Sequence, residues 1–211
     1  MDYGPDMSNL TFSIAPLIER VKTVVTDPSG CWDIVSADSR GAKDLFKEFA
    51  VPMAVLGGLA TLLGSFVSGV ASVLGIGLVL VQFVSGVITA CASGFIMAFV
   101  ATKVASWSGC SVSLDRAYSW LLHASMIGFV GGLASVIPVV GFVLGFLGSI
   151  GTLYWGWKGI GPMVSIPAEK RILFFVGTIF LSIVALVVFS LLLGSILVGF
   201  VEIPAASTLP S

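Results

Sequence analysis

Between Glu48 and Lys103, between Arg116 and Lys158, and between Arg171 and Glu202 the chain carries no Asp, Glu, Lys or Arg. These runs are 54, 41 and 30 residues long. A hydrocarbon core about 30 Å thick takes about 20 apolar residues of helix to cross, so the runs hold two, two and one spans. Composition agrees: 57% of the 211 residues are hydrophobic and 10% are charged, against about 25% charged in a globular domain. Lipid offers no water to backbone N–H and C=O groups, so such segments cross as helices. The expected fold is all-α, a polytopic membrane protein of five transmembrane helices preceded by a cytoplasmic amphipathic helical region.

The spans read as 49–70, 75–102, 115–136, 139–157 and 170–201. Residues 1–48 then form a cytoplasmic N-terminal region, 49–201 the transmembrane domain and 202–211 a short extracytoplasmic tail. An odd number of spans puts the termini on opposite sides, and this parse leaves all ten Lys and Arg residues (Arg20, Lys22, Arg40, Lys43, Lys47, Lys103, Arg116, Lys158, Lys170 and Arg171) on the N-terminal side. Cytoplasmic loops are the ones enriched in cations, so the N-terminus is expected in the cytoplasm and the C-terminus outside, in a bacterial inner (plasma) membrane. The N-terminus has no basic flank leading into an apolar run, so the first span itself is expected to direct insertion.

Residues 16–27 have helical periodicity, with Pro16 able to serve as the first helical position. Leu17, Ile18, Val21, Val24 and Val25 share one face, while Glu19, Arg20, Lys22, Thr23 and Thr26 cover the other. That pattern suits a helix lying in the lipid interface or against a partner. Asp27 before Pro28 reads as a stop for this helix and a cap for a second one carrying Trp32, Ile34 and Val35. Ser39 is placed to cap a third, which runs into the first span, where Pro52 predicts a kink.

The connection between the fourth and fifth spans is the densest interfacial signal. Tyr154, Trp155 and Trp157 have amphipathic rings suited to headgroup level, and Lys158, Lys170 and Arg171 supply cations there, with Trp32 as a further aromatic anchor. Pro162 and Pro167 predict a helix break between them. Ser113 is placed to cap the third span with Asp115 in its first turn.

Small residues recur every four positions: Gly86, Ala90, Gly94 and Ala98 in the second span, Gly128 and Gly132 in the third, Gly141 and Gly145 in the fourth. Such ridges let helices approach closely, against another span or a second copy.

Chemistry-bearing residues are sparse. Gln82 and His123 are the polar groups at membrane depth that a transport path would use, and His123 reads as a structural histidine hydrogen-bonded within the bundle. Gly109-Cys110-Ser111-Val112 has some likeness to a rhomboid-protease nucleophile segment, but the following Gly is missing and no general base is placed for Ser111. Three widely spaced cysteines and one histidine make no metal site, and no phosphate or dinucleotide fingerprint occurs. A net charge of −1 provides no basic field for nucleic acid. No catalytic residue, metal or cofactor is expected.

The order of an amphipathic N-terminal region, Asp-Pro-Ser-Gly-Cys-Trp at 27–32, Phe-Lys-Glu-Phe-Ala-Val-Pro-Met at 46–53 and five spans resembles the bacterial branch of the Yip family, the Ypt/Rab-GTPase-interacting membrane proteins. Tyr154, Trp157, Gly159, Ile160, Ile166 and Pro167 are similar to that family's segment between spans four and five. The resemblance covers residues 21 to 199. The expected function is that of a non-enzymatic membrane-organising or partner-recruiting scaffold, acting through the bilayer and through self-association or another membrane protein. A small transporter or channel with a path past Gln82 and His123 is the alternative.

Overall fold

The computed structural model describes residues 15–26 and 28–199, leaving aside the side chains of Val25, Pro28, Ser29, Pro138 and Val198. The polar segment before Pro16, the stop and cap at Asp27 and the tail 202–211 lie largely or wholly outside the described residues. Among those residues every regular element is helical. In chain order they are α1 (Ala15–Thr26), α2 (Pro28–Ala37), α3 (Ala42–Leu45), α4 (Val51–Val67), α5 (Val70–Leu74), α6 (Ile76–Trp107), α7 (Leu114–Leu133), α8 (Pro138–Val164) and α9 (Arg171–Val198).

Five segments are long and apolar enough to cross a membrane: Ala42–Val67, Ile76–Trp107, Leu114–Val136, Val139–Val164 and Ala168–Leu197. The chain is an all-α polytopic membrane protein. At 32 residues, α6 is about 48 Å long, well beyond the hydrocarbon core of about 30 Å, so it tilts or projects past it.

Local chemistry explains where the helices depart from expectation. Pro52 has no N–H to offer Glu48 and its ring crowds that carbonyl, and the turn before it, Phe46–Ala50, widens to π geometry. Pro162 does not stop α8, which continues to Val164 and ends at Ser165 in the left-handed region, φ 52°. Burial of Ile160, Met163, Val164 and Ile166 holds that last turn in helical form despite the hydrogen bond lost at Pro162. Ser39 does not cap α3; Gly41 takes that position and its side-chain acceptor comes from elsewhere in the fold.

α7 and α8 form a tight hairpin through the turn Ala134–Val136, and α4 packs on that turn. α6 lies against α4, α7 and α9. α9 exposes Leu173, Val176, Phe180 and Val187 around its outer face, as a lipid-facing span does. Because the spans alternate in direction, the starts of α4, α7 and α9 meet the ends of α6 and α8 at one end of the bundle. All ten cations gather there, and this end is termed the basic end below. α1, α2 and α3 cover it: α1 packs on α7, α2 on α7 and α8, α3 on α7.

Candidate functional site

Two features set this bundle apart: a helical cap fused to its basic end, and a cleft opening among the spans below.

The cap is built by burying one face of each short helix in the same core as the spans. Leu17 and Val24 of α1, and Cys31, Trp32 and Val35 of α2, share a cluster with Phe49, Trp120, Trp155 and Ile160. The apolar face of α1 is therefore covered by its own chain: Leu17 and Val24 are buried, Val21 is partly buried, and Ile18 points outward at 59% exposure. The Val25 side chain lies outside the described residues. Isolated helices of 10–12 residues are marginal in water, and here tertiary burial supplies the missing stability.

Trp32 and Trp155 are enclosed by protein rather than presented to headgroups. Their ring centroids are 6.0 Å apart. The space for Trp32 exists because residue 159 is glycine: a Cβ there would sit 2.5 Å from Trp32 Cζ2 and 2.8 Å from Trp120 Cδ1. Trp120 is fixed in turn by donating its Nε1–H to the Gly156 carbonyl at 2.8 Å. Tyr154 and Trp157 do remain exposed, with the Lys158 ammonium 5.7 Å from the Tyr154 ring centroid.

Polar contacts lock the cap edges. Asp115 Oδ1 accepts the Ala42 N–H at 2.7 Å, and Arg116 Nη1 donates to the Ser36 carbonyl at 2.7 Å. Asp38 accepts from Arg40 Nε at 2.9 Å and pairs with Arg20 at 3.3 Å, while Arg40 also pairs with Glu48. Both guanidinium groups lie over the Phe49 ring, Arg20 at 5.8 Å and Arg40 at 5.2 Å from its centroid. Hydrogen bonds from Arg40, with a smaller contribution from the Arg20 charge, hold the Asp38 carboxyl down at about 2. Lys170 Nζ donates to the Ser108 carbonyl at 2.7 Å, and Arg171 Nε to that of Ile166 at 3.0 Å, so these two cations tie loops and helix ends together. Lys22, Lys43, Lys47, Lys103 and Lys158 stay exposed around the basic end.

Below the cap, α4, α6, α7, α8 and α9 enclose a cavity of about 570 Å³. The small-residue ridge of α6 forms part of its wall. Gly86 and Ala90 face it, and Gly94, which also borders it, packs under Tyr118, where a Cβ would come within 2.8 Å of the ring. Ala98 is wholly buried. Gln82 lines the cavity and His123 does not. His123 is fully buried, its Nδ1 2.7 Å from the Ser119 carbonyl and its ring 6.2 Å from that of Phe49. A carbonyl only accepts, so Nδ1 carries the proton of that bond. Gln82 and His123 thus share no path: one faces the cavity and the other is sealed in the core. Ser111 is exposed in its loop.

Close packing of α7 on α8 uses a register that the four-residue spacing did not single out. Gly128 and Gly141 are at close approaches, to Thr152 and to the Ser135 backbone, but Gly132 and Gly145 have open space. Gly131 and Gly148 take their place, with a Cβ on Gly148 reaching within 3.2 Å of Gly128 Cα and 3.4 Å of Gly131 Cα. Among the described residues no cluster of His, Cys, Asp or Glu has metal-binding geometry.

The chain matches no family model, no curated protein and no solved structure. The cap's partner surface and the cavity were missed in the sequence. The closest available signal was the pairing of Trp120 with Gly156 and Gly159, a bulky ring in one span and gaps at three-residue spacing in another.

Proposed function

We propose that this is a non-enzymatic membrane-organising scaffold of a bacterial inner membrane, its cap in the cytoplasm, recruiting a protein partner or further copies of itself at the cap surface. The gathering of every Lys and Arg at the basic end supports the orientation. The observation that carries the functional reading is the shared core of cap and spans. A tethered helix would swing free, whereas α1 and α2, rooted through Leu17, Val24, Trp32 and Val35, hold their outer faces at a fixed position beside the bilayer. Ile18 and Ile34 are 59% and 51% exposed on that cap. Exposed Lys22, Lys43 and Lys47 lie in the same N-terminal region and suit anionic headgroups, each worth about 1 kcal/mol near such a surface. The resemblance to the bacterial Yip branch supports the same reading.

The test is reconstitution of the purified protein in liposomes containing anionic lipid, with association followed by cross-linking, bilayer shape by electron microscopy, and solute flux in the same vesicles. Ile18→Asp with Ile34→Asp should keep the parent melting temperature yet abolish association and remodelling. Unchanged association and remodelling in that variant, or a solute flux that depends on Gln82, would overturn the scaffold reading.

A further inference from the structure

We infer that the basic ends of α6 and α8 each bind the phosphate of an anionic phospholipid, through Lys103 beside Phe99 on α6 and through Lys158 beside Tyr154 on α8. Residues 49–201 hold five cations and two carboxylates, against five and six in residues 15–48, so the positive excess of the basic end is carried by the spans and their loops. Three of those five cations are committed: Arg116, Lys170 and Arg171 donate to the Ser36, Ser108 and Ile166 carbonyls. Lys103 and Lys158 are left. Both are exposed, and among the described residues neither enters an ion pair.

Helix direction sets where these two ammonium groups stand. Every Cα–Cβ bond of a helix leans toward its N-terminus. α4, α7 and α9 begin at the basic end, so their first side chains lean toward water, whereas α6 and α8 finish there and their last ones lean toward the hydrocarbon. Lys103 and Lys158 follow that lean: Lys103 Nζ lies 5.2 Å from the Phe99 ring centroid and Lys158 Nζ 5.7 Å from that of Tyr154, each ring one turn deeper in its span. Both rings are exposed on spans, the faces that meet lipid. Trp107, one turn beyond Lys103, is 72% exposed, and Trp157 stands exposed beside Lys158, which suits both sites to headgroup level. A ring face attracts an ammonium without neutralising it. The anion available at that depth is a lipid phosphate, and a cation with no carboxylate of its own favours a headgroup that carries net negative charge over a zwitterionic one.

The experiment titrates the full chain, purified in mild detergent, with dioleoyl phosphatidylglycerol or dioleoyl phosphatidylcholine, which share acyl chains and differ in headgroup charge. Bound lipid is counted by native mass spectrometry. The parent should bind phosphatidylglycerol more tightly than phosphatidylcholine. Lys103→Gln and Lys158→Gln, both at exposed positions, should keep the parent melting temperature and each weaken binding at its own site roughly fivefold. Lys103→Arg with Lys158→Arg, which keeps both charges, should restore it. Lys22→Gln with Lys43→Gln, on the cap, should leave it within twofold of the parent. The inference is overturned if the two lipids bind equally, if the double glutamine variant at 103 and 158 binds as the parent does, or if the double arginine variant loses binding as well. It is also overturned if the cap pair lowers binding as much as the pair at 103 and 158. Competition by inorganic phosphate beyond that of chloride at equal ionic strength would make the ligand a soluble phosphate and overturn the lipid assignment. Binding is read on isolated protein at the span ends, so it stands or falls separately from association through Ile18 and Ile34 of the cap.

Discussion

The Asp115 carboxylate, in the first turn of α7, accepts the backbone N–H of Ala42, the first residue of α3, at 2.7 Å. The acceptor for the third helix of the cap thus comes from 73 residues away, and one side chain both serves its own helix dipole and pins the cap to the third span. Asp115→Ala should lower the stability of the purified protein by about 1 kcal/mol, the usual worth of a cap. It should also raise protease access at the α2–α3 junction around Arg40. Thermal unfolding in detergent with limited proteolysis checks both, and an unchanged cleavage rate would show that the bond does not hold the cap.

Glycines one residue apart in α7 should respond in opposite directions. A Cβ at Gly131 would collide with the Leu144 carbonyl of α8, while one at Gly132 meets nothing within 4 Å. Gly131→Ala is expected to destabilise by about 1–3 kcal/mol through overpacking. Gly132→Ala should be neutral or stabilise by up to about 1 kcal/mol through the higher helix propensity of alanine. Denaturant titration of both variants decides it, and equal effects would mean that the α7–α8 register differs from the one described.

That contrast shows what a linear reading reaches and where it ends. The five spans were legible because uncharged runs of 54, 41 and 30 residues admit few other parses. The choice of Gly131 over Gly132 was not, since both residues have the same chemistry and only the rotation of α7 against α8 tells them apart. The amphipathic face of α1 was legible as a face, but its partner was not: Leu17 and Val24 could meet lipid, another protein or, as found, Trp120 and its neighbours. Pro162 misled because the burial of Ile160, Met163 and Val164 that carries α8 through it depends on α2 and the loop before α9. The cavity has no local signature at all, being formed by five helices whose wall residues are ordinary span residues.

Acid should loosen the cap through Asp38. Its carboxyl is held at about 2 against 3.8 for the free side chain. A depressed carboxylate contributes stability above its unfolded value and loses that contribution as pH falls through the folded one, so the window lies between about pH 4 and pH 2. Asp38→Asn should be less stable than the parent by about 1 kcal/mol at pH 7, solvent screening of the surface pair cutting the full linkage value, and the gap should close by pH 2. Melting temperatures of the pair across that range test it; a gap independent of pH would assign the loss to packing instead of charge.

Orientation can be read with single cysteines at Ser72, in α5, and at Ser165, after α8, in a background where Cys31, Cys91 and Cys110 are alanine. Both sites are exposed and lie at opposite ends of the bundle. In intact cells a membrane-impermeant maleimide should label position 72 and reach position 165 only after permeabilisation. The reverse pattern would place the cap outside.

The central claim is that the N-terminal helices are an integral part of the bundle, rooted by Trp32 in the space above Gly159. Hydrogen–deuterium exchange of the reconstituted full chain measures this directly. Amides of α1 and α2 should exchange slowly, with protection comparable to the basic-end turns of α7 and α8, and Gly159→Ala should release α1 and α2 while leaving the centres of the spans protected. Exchange of α1 and α2 within seconds in the parent, at the rate of an unstructured peptide, would contradict the account.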